Sequence, residues 1–234
     1  MNDRTWQCKI RKHLEYLRGL DAKSSEHGRR IYANQLEREN MASCHQAAVL
    51  AMEQFIDGLP MVRYERALEV GCGDGRVTRD QLLGRFKMVD LFDPCSEAIR
   101  KVREDMAMKW QVMNIGKATM ETHEWNSDYS LIVMRWCIGY PEEEDLVAFL
   151  REAKQHLVKY GRRTTRNSVP RSFILVLDNV LKEGHSAFEN EGQMLRDQWS
   201  IEKLFRRADL TICMQSERIE QPPPFEDMMM WALY

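Results

Sequence analysis

The spacing of apolar residues changes several times along the chain, and each change marks an element. Residues 1–40 are polar and charged, with Ile10, Leu14, Leu17 and Leu20 three or four residues apart. That spacing predicts a short amphipathic helix. A second helix is predicted over 41–58, where Ala47, Leu50, Met52, Phe55 and Ile56 are apolar and Gly58 and Pro60 close the run. Residues 1–60 therefore read as an N-terminal helical extension of the same domain, and 61–234 as its main body.

Beyond residue 60 short apolar runs alternate with helical periodicity. "RALEVG" is a strand and "RVTRDQLLGRF" a helix; "MVDLFD" is a strand and "SEAIRKVREDM" a helix, opened by Ser96 before an acidic first turn. "WQVMNIG" reads as a short strand, and "YSLIVMRWCIGY" as a buried strand running into a loop. "EEEDLVAFLREAKQHLV" is an amphipathic helix with acids first and bases last. "SFILVLDNVL" is another buried strand, "MLRDQWSIEKLFRRADL" a helix, and "TICMQSERIE" and "MMMWALY" two final strands separated by prolines. Alternating strands and helices predict an α/β fold with a doubly wound, Rossmann-like sheet. Two closing strands with no helix between them predict a C-terminal antiparallel hairpin. Right-handed crossovers place the first strand near the middle, and ligands bind outside the carboxyl ends of such strands.

Composition narrows the setting. The 234 residues carry 34 Lys and Arg against 36 Asp and Glu, a net charge of -2, so the global field favours neither nucleic acid nor a membrane. The six cysteines contain no CxxC pair, which argues against zinc, and most of them sit in apolar surroundings and read as reduced core thiols. No run approaches the roughly 18 apolar residues of a membrane span. Asp3 and Glu15 interrupt the basic N-terminus, against an Arg-rich transit peptide. The expected location is cytoplasm or nucleus.

The chemistry begins with "EVGCGDG". Gly71, Gly73 and Gly75 follow a strand and precede a helix, a place where bare backbone admits a close ligand. No Lys-Ser/Thr follows for a nucleoside triphosphate. Glu69, Asp74 and Asp93 surround the loop with carboxylates. These repel a pyrophosphate and suit a cationic ligand rich in hydroxyls, and an acid closing the second strand suits a ribose diol. S-adenosylmethionine has a ribose, an amino group, a sulfonium cation and no phosphate. The pattern resembles the E/D-x-G-x-G-x-G signature of class I methyltransferases, and no bound metal is expected.

A finer resemblance lies in "ALEVGCGDGRVTRDQLLGRFKMVDLFD", "VMRWCIGYPEEEDLVAFLREAKQHL", "LDNVLKEG" and "LRDQWSIEKLFRRADL". Together these resemble the protein α-N-terminal methyltransferases over roughly residues 64–220. The resemblance implies methylation of the α-amine of protein N-termini beginning Xaa-Pro-Lys, with S-adenosyl-L-methionine as donor and S-adenosyl-L-homocysteine as product. It implies that Glu69, Gly71, Gly73, Arg76, Asp93, Thr119, Met120 and Arg135 surround the cofactor: Arg76 at its carboxylate, Asp93 at the ribose hydroxyls, Thr119 and Met120 beside the adenine. Arg135 stands where relatives usually carry glutamine. Trp136 matches the tryptophan lining the peptide entrance, and Asn179 the asparagine holding the substrate's N-terminal residue beside Asp178.

Departures accompany the match. The family's "W-V-I-G-H" histidine, a proton acceptor for the α-ammonium, is Tyr140 here, expected as a buried tyrosine whose reference pKa of about 10 makes it a poor base and a good orienting hydroxyl. Glu191 lies near the family's second candidate base. The upstream Tyr-Trp pair and G-G-Y-G segment have no match in residues 1–60, where Tyr32 and Trp6 are distant substitutes. Lys159, Arg162, Arg163, Arg166 and Arg171 form a basic turn before the Asp178 strand, either solvated or facing RNA phosphates or an acidic protein. His45, His123 and His185 read as surface or core histidines. Two alternatives stay open: a small-molecule or RNA methyltransferase on the same scaffold, and an inactive subunit that binds a protein or ribonucleoprotein partner.

Overall fold

The computed structural model describes residues 48–60, 64–159, 172–182, 187–190, 193–221 and 226–234. The expected helix within 1–40, the basic positions 162–171, Glu191, His45, His185, Cys8 and Cys44 lie outside the described residues. Helix α1 occupies 48–58. Strand β1 (Arg66–Val70) leads through the glycine loop to a π-helical turn (Thr78–Leu82), then β2 (Met88–Asp93), α2 (Ser96–Asp105) and β3 (Val112–Lys117). β4 (Leu131–Arg135), α3 (Glu143–Gln155) and β5 (Phe173–Val180) follow. Next come β6 (Ala187–Asn190), β7 (Gln193–Arg196), α4 (Gln198–Arg207), β8 (Ile212–Gln215) and β9 (Asp227–Leu233).

The sheet runs β3-β2-β1-β4-β5 with all five strands parallel. β9 then pairs antiparallel with β5, and β8 antiparallel with β9. β1 sits between β2 and β4, so the strand order reverses at its carboxyl end. Strands buried on both faces need continuous apolar runs, and "RALEV", "LIVMR" and "FILVLDNV" supply them. Alternation sorts their side chains into two cores. Ala67, Leu131, Val133, Phe173 and Leu175 pack with Met52, Phe55 and Ile56 of α1 and Ile99 and Val102 of α2. Leu68, Ile132, Met134, Ile174 and Trp231 pack with Leu146, Phe149 and Leu150 of α3 and Ile201, Leu204 and Phe205 of α4. The Met228–Trp231 stretch is thus buried on both sides, and Trp231 meets Phe205 edge-on at 5.6 Å.

Four local features depart from the sequence reading. The helix expected from Met194 starts at Gln198. Asp197 is its N-cap, accepting from the Ser200 amide at 2.8 Å, while Met194–Arg196 pairs with β6 as a hairpin. Ser96 is the first helical residue of α2 and Cys95 its cap, with no side-chain capping bond. The segment after the glycines widens into a π turn, closed by the Leu83 amide on the Thr78 carbonyl at 3.0 Å. Cys213 is exposed, because β8 is an outer strand with one solvated face; Cys72 and Cys137 are buried as expected. Among the described residues no helix is long and apolar enough to cross a membrane.

Candidate functional site

The 71–75 loop leaves β1 at the reversal of strand order, the place where open α/β sheets bind ligands. Its three glycines all have positive φ: +65° at Gly71, +52° at Gly73 and +72° at Gly75. They differ in what surrounds them. A Cβ at Gly71 would lie 3.0 Å from the Cβ of Cys137, and one at Gly75 would lie 3.1 Å from Met106. These two let the loop pack. A Cβ on Gly73 would meet nothing within 4 Å. Gly73 therefore bares its backbone to open space at the carboxyl edge of the sheet.

Asp93 organises that opening. It ends β2, is 9% exposed, and accepts the Gly73 amide on Oδ2 and the Cys95 amide on Oδ1, both at 2.8 Å. Its carbonyl also accepts the Ala118 amide at 3.3 Å, which fixes the start of the Thr119–Met120 loop beside it. There Thr119 is tied to Thr122, its amide and hydroxyl lying 2.9 and 3.0 Å from the Thr122 Oγ1. Met120 packs against the buried core.

Glu69 sits deeper. Its Oε2 accepts the Thr78 amide at 2.9 Å and a short bond from the Thr78 hydroxyl, so it joins β1 to the π turn. Burial pushes its carboxyl up to about 7, against those two hydrogen bonds and the charge of Arg135. Asp74, by contrast, stays low: partial burial works to raise it, and the Arg76 hydrogen bond with the charges of Arg76, Lys101 and Arg79 outweighs that. Arg76 itself reaches Asp74 at 3.1 Å with a half-exposed side chain.

Arg135 ends β4 with its guanidinium 4.1 Å above the ring of Trp136, a cation–π stack. Burial, then the neighbouring Arg76, pushes it down to about 10, against the pull of Glu69, Asp80 and Asp74. Trp136 adopts φ +52°, a left-handed conformation that costs about 1–3 kcal/mol for a non-glycine residue and gathers at functional sites. Its amide is held on the Leu177 carbonyl at 2.9 Å, and its indole Nε1 is buried without a hydrogen-bond partner. Trp136 is therefore only partly core: it packs against the buried cluster and stands at the mouth of the strand ends.

Asp178 and Asn179 approach from β5. Asp178 is buried and accepts the Ile138 amide at 3.2 Å and the Asn179 amide at 2.8 Å. Burial pushes it up to about 6, against those amides and the charge of Arg196. It thus shapes the 137–140 turn. Asn179 is half-buried one residue further, opposite Met228 of β9. Tyr140 is 44% exposed, which corrects the expected buried tyrosine: the turn swings its side chain outward past Gly139. Sequence reasoning missed β6 and β7 as a hairpin and missed the buried Arg196. The one local sign was an Arg-Asp pair just before a helical run, which reads as a capped helix start with a chain entering from elsewhere.

His123, at the far end of the same loop as Thr119, stacks on Phe92 at 4.2 Å and is pushed down to about 4 by burial, so it remains a neutral packing group.

A bare glycine turn beside a carboxylate that closes the second strand is the arrangement that nucleoside-binding α/β sheets use. A sequence profile of the AdoMet dependent proline di-methyltransferases matches residues 40–234. The chain belongs to this family. Similarity extends to an alpha N-terminal protein methyltransferase 1 of Arabidopsis thaliana, 25% identical over 198 residues, covering 79% of this chain and 64% of that protein. An N-terminal Xaa-Pro-Lys N-methyltransferase 1-B of Xenopus laevis is 31% identical over 161 residues, 67% of this chain and 66% of that one. The match thus spans less than two thirds of the plant relative's length. Among solved structures, a SAM-dependent methyltransferase of Leishmania major superposes with a TM-score of 0.72 at 24% identity, covering 83% of this chain and 74% of that one. That likeness establishes the doubly wound methyltransferase fold, with the family's cofactor being S-adenosylmethionine.

Proposed function

We propose that this protein is an S-adenosylmethionine-dependent methyltransferase acting on the α-amine of protein N-termini of the Xaa-Pro-Lys type. The observation that carries this reading is the opening at Gly73, bounded by Asp93 on one strand end and by Arg76 and Arg135 on the other side. The residues fit the group. The space left by the missing Cβ of Gly73 admits a ligand against the backbone. Asp93 has carboxylate lone pairs for a ribose diol, and Arg76, half-exposed, has a fork suited to a carboxylate. The Thr119–Met120 loop, tied to Asp93, supplies an apolar edge for a base.

When bound, the cofactor supplies a methyl carbon already activated by a sulfonium. The protein's part is to align and to exclude water. Trp136, locked at positive φ, forms a rigid wall for the incoming peptide end. Asn179 presents an amide at the carboxyl end of β5, where it would hold the backbone of the first substrate residue. Asp178, occupied by two backbone amides, acts as a positioning group for Asn179 and the 137–140 turn. Tyr140, exposed at the rim, orients the amine through its hydroxyl. Since an α-amine has a pKa of about 7.7–8.0, a sizeable fraction is already neutral near pH 7.5, so a strong base is not required. Glu191 remains the candidate acceptor for the departing proton.

Incubation with a peptide beginning Xaa-Pro-Lys, read by mass spectrometry, tests the proposal. A mass increase by whole methyl groups, confined to the N-terminal residue, is expected. Asn179→Ala should lower kcat/KM by roughly tenfold or more, the scale of one lost substrate hydrogen bond in a desolvated site. Methyl transfer to a lysine side chain instead, or none with folded protein and bound cofactor, refutes the substrate class.

A further inference from the structure

The β6–β7 hairpin extends the sheet from the carboxyl end of β5 and rests on the 137–140 turn. β7 touches β5 at a single pair, Val180 with Arg196. Its hold on the turn is close: the Met194 amide donates to the Gly139 carbonyl at 2.8 Å. A Cβ at Gly139 would lie 2.5 Å from Gln193 Cγ and 2.8 Å from the Met194 carbonyl, so no larger residue fits beneath the hairpin. So short a ladder does not fix the hairpin's tilt by itself, since two strands alone are marginal in water.

Arg196 supplies what the ladder lacks. It is 3% exposed, an unusual place for an arginine. Its Nη1 donates to the Met194 carbonyl at 3.1 Å, stiffening β7 from within. Its Nε points at Glu143 Oε1 on the first turn of α3, 3.5 Å away. The other Glu143 oxygen takes Nη1 of Arg207 from α4 at 3.2 Å. The Arg196 carbonyl accepts the Leu181 amide at 3.0 Å, and its charge acts on buried Asp178. The side chain thereby ties the hairpin to α3 and sets its charge beside the carboxylate that shapes the 137–140 turn, while the backbone of the same residue joins the end of β5. Burying an arginine is costly, and an apolar side chain of like volume would fill the space more cheaply. What the guanidinium adds is a fixed direction, set by its planar fork.

We propose that Arg196 is a positioning residue: it latches the β6–β7 hairpin over the 137–140 turn and so sets the geometry of the substrate entrance. The claim rests on the methyltransferase reading above for its effect on catalysis, but the latch itself is a property of the fold.

Three variants test it: Arg196→Lys, Glu143→Gln and, as control, Arg207→Gln. Glu143 is half-exposed, so its replacement leaves the cores untouched. Amide hydrogen exchange at Met194, S-adenosylmethionine affinity by calorimetry, and peptide KM and kcat are read for each. Glu143→Gln and Arg196→Lys should speed exchange at Met194 while leaving β1 amides unchanged. They should raise peptide KM roughly three- to tenfold, the scale of one weakened charged hydrogen bond, with kcat and cofactor affinity held within about twofold. Arg207→Gln should change neither Met194 exchange nor KM. Unchanged Met194 exchange in both latch variants overturns the proposal, and so does faster exchange with an unaltered peptide KM. If the wild-type protein methylates no peptide, the substrate reading fails, and Met194 exchange alone decides the latch in either direction.

Discussion

At the scale of single residues, Glu69 shows how burial and function meet. A carboxyl carried from the ordinary 4.5 to about 7 holds its proton more tightly in the folded protein than in the unfolded chain. Stability from this group is therefore fully present below pH 4.5 and declines as pH rises toward 7. The Glu69→Gln variant keeps an acceptor for Thr78 and removes that titration. Its thermal melts should lose the part of the wild-type decline that falls between those limits, on the order of 3 kcal/mol for a fully buried group. Parallel pH dependence in the two proteins would mean that Glu69 ionises without cost. The glycines and the acid closing β2 were legible in the sequence because their roles follow from local backbone geometry. The exposure of Tyr140 was not legible, because it depends on a turn held by a hairpin from a distant part of the chain. Nor was the Arg135–Trp136 stack: adjacent residues on a strand point to opposite faces, and only the left-handed φ of Trp136 brings the two together.

Among the elements, α4 teaches most. Its apolar stripe, Ile201, Leu204 and Phe205, is plain in the sequence and packs on the sheet as its spacing requires. Its start was misplaced because Met194 falls in helical phase with that stripe, while Asp197 caps the helix three residues later. Asp197→Ala should therefore cost about 1 kcal/mol and lower the melting temperature by about 2–4 °C, with helix content otherwise kept. A loss several times larger would show that Asp197 also braces the hairpin that precedes it. The π turn after the glycines was equally invisible: it follows from Glu69 capturing Thr78, a contact across 9 residues that periodicity does not encode.

For the whole molecule, the parallel strands announced themselves as unbroken apolar runs, and the alternating helices fixed the winding. β6 and β7 were missed because they are four residues each and carry polar side chains, Glu189, Asn190, Gln193 and Arg196 among them, on a ladder that joins β5 at one residue pair. The site lies between what was legible and what was not: the cofactor side is built from the βαβ unit, the substrate side from turns and a hairpin. The account rests on the cofactor side. Its most direct test is calorimetric titration of S-adenosylmethionine into the wild-type protein and into Gly73→Val. A valine there would fill the open side and strain a left-handed backbone at about 1–2 kcal/mol. One molecule bound per wild-type chain, with affinity at least roughly a hundredfold weaker in a folded Gly73→Val protein, is the predicted result. Equal affinity in the two proteins, or no heat from the folded wild type, contradicts the assignment of this crevice.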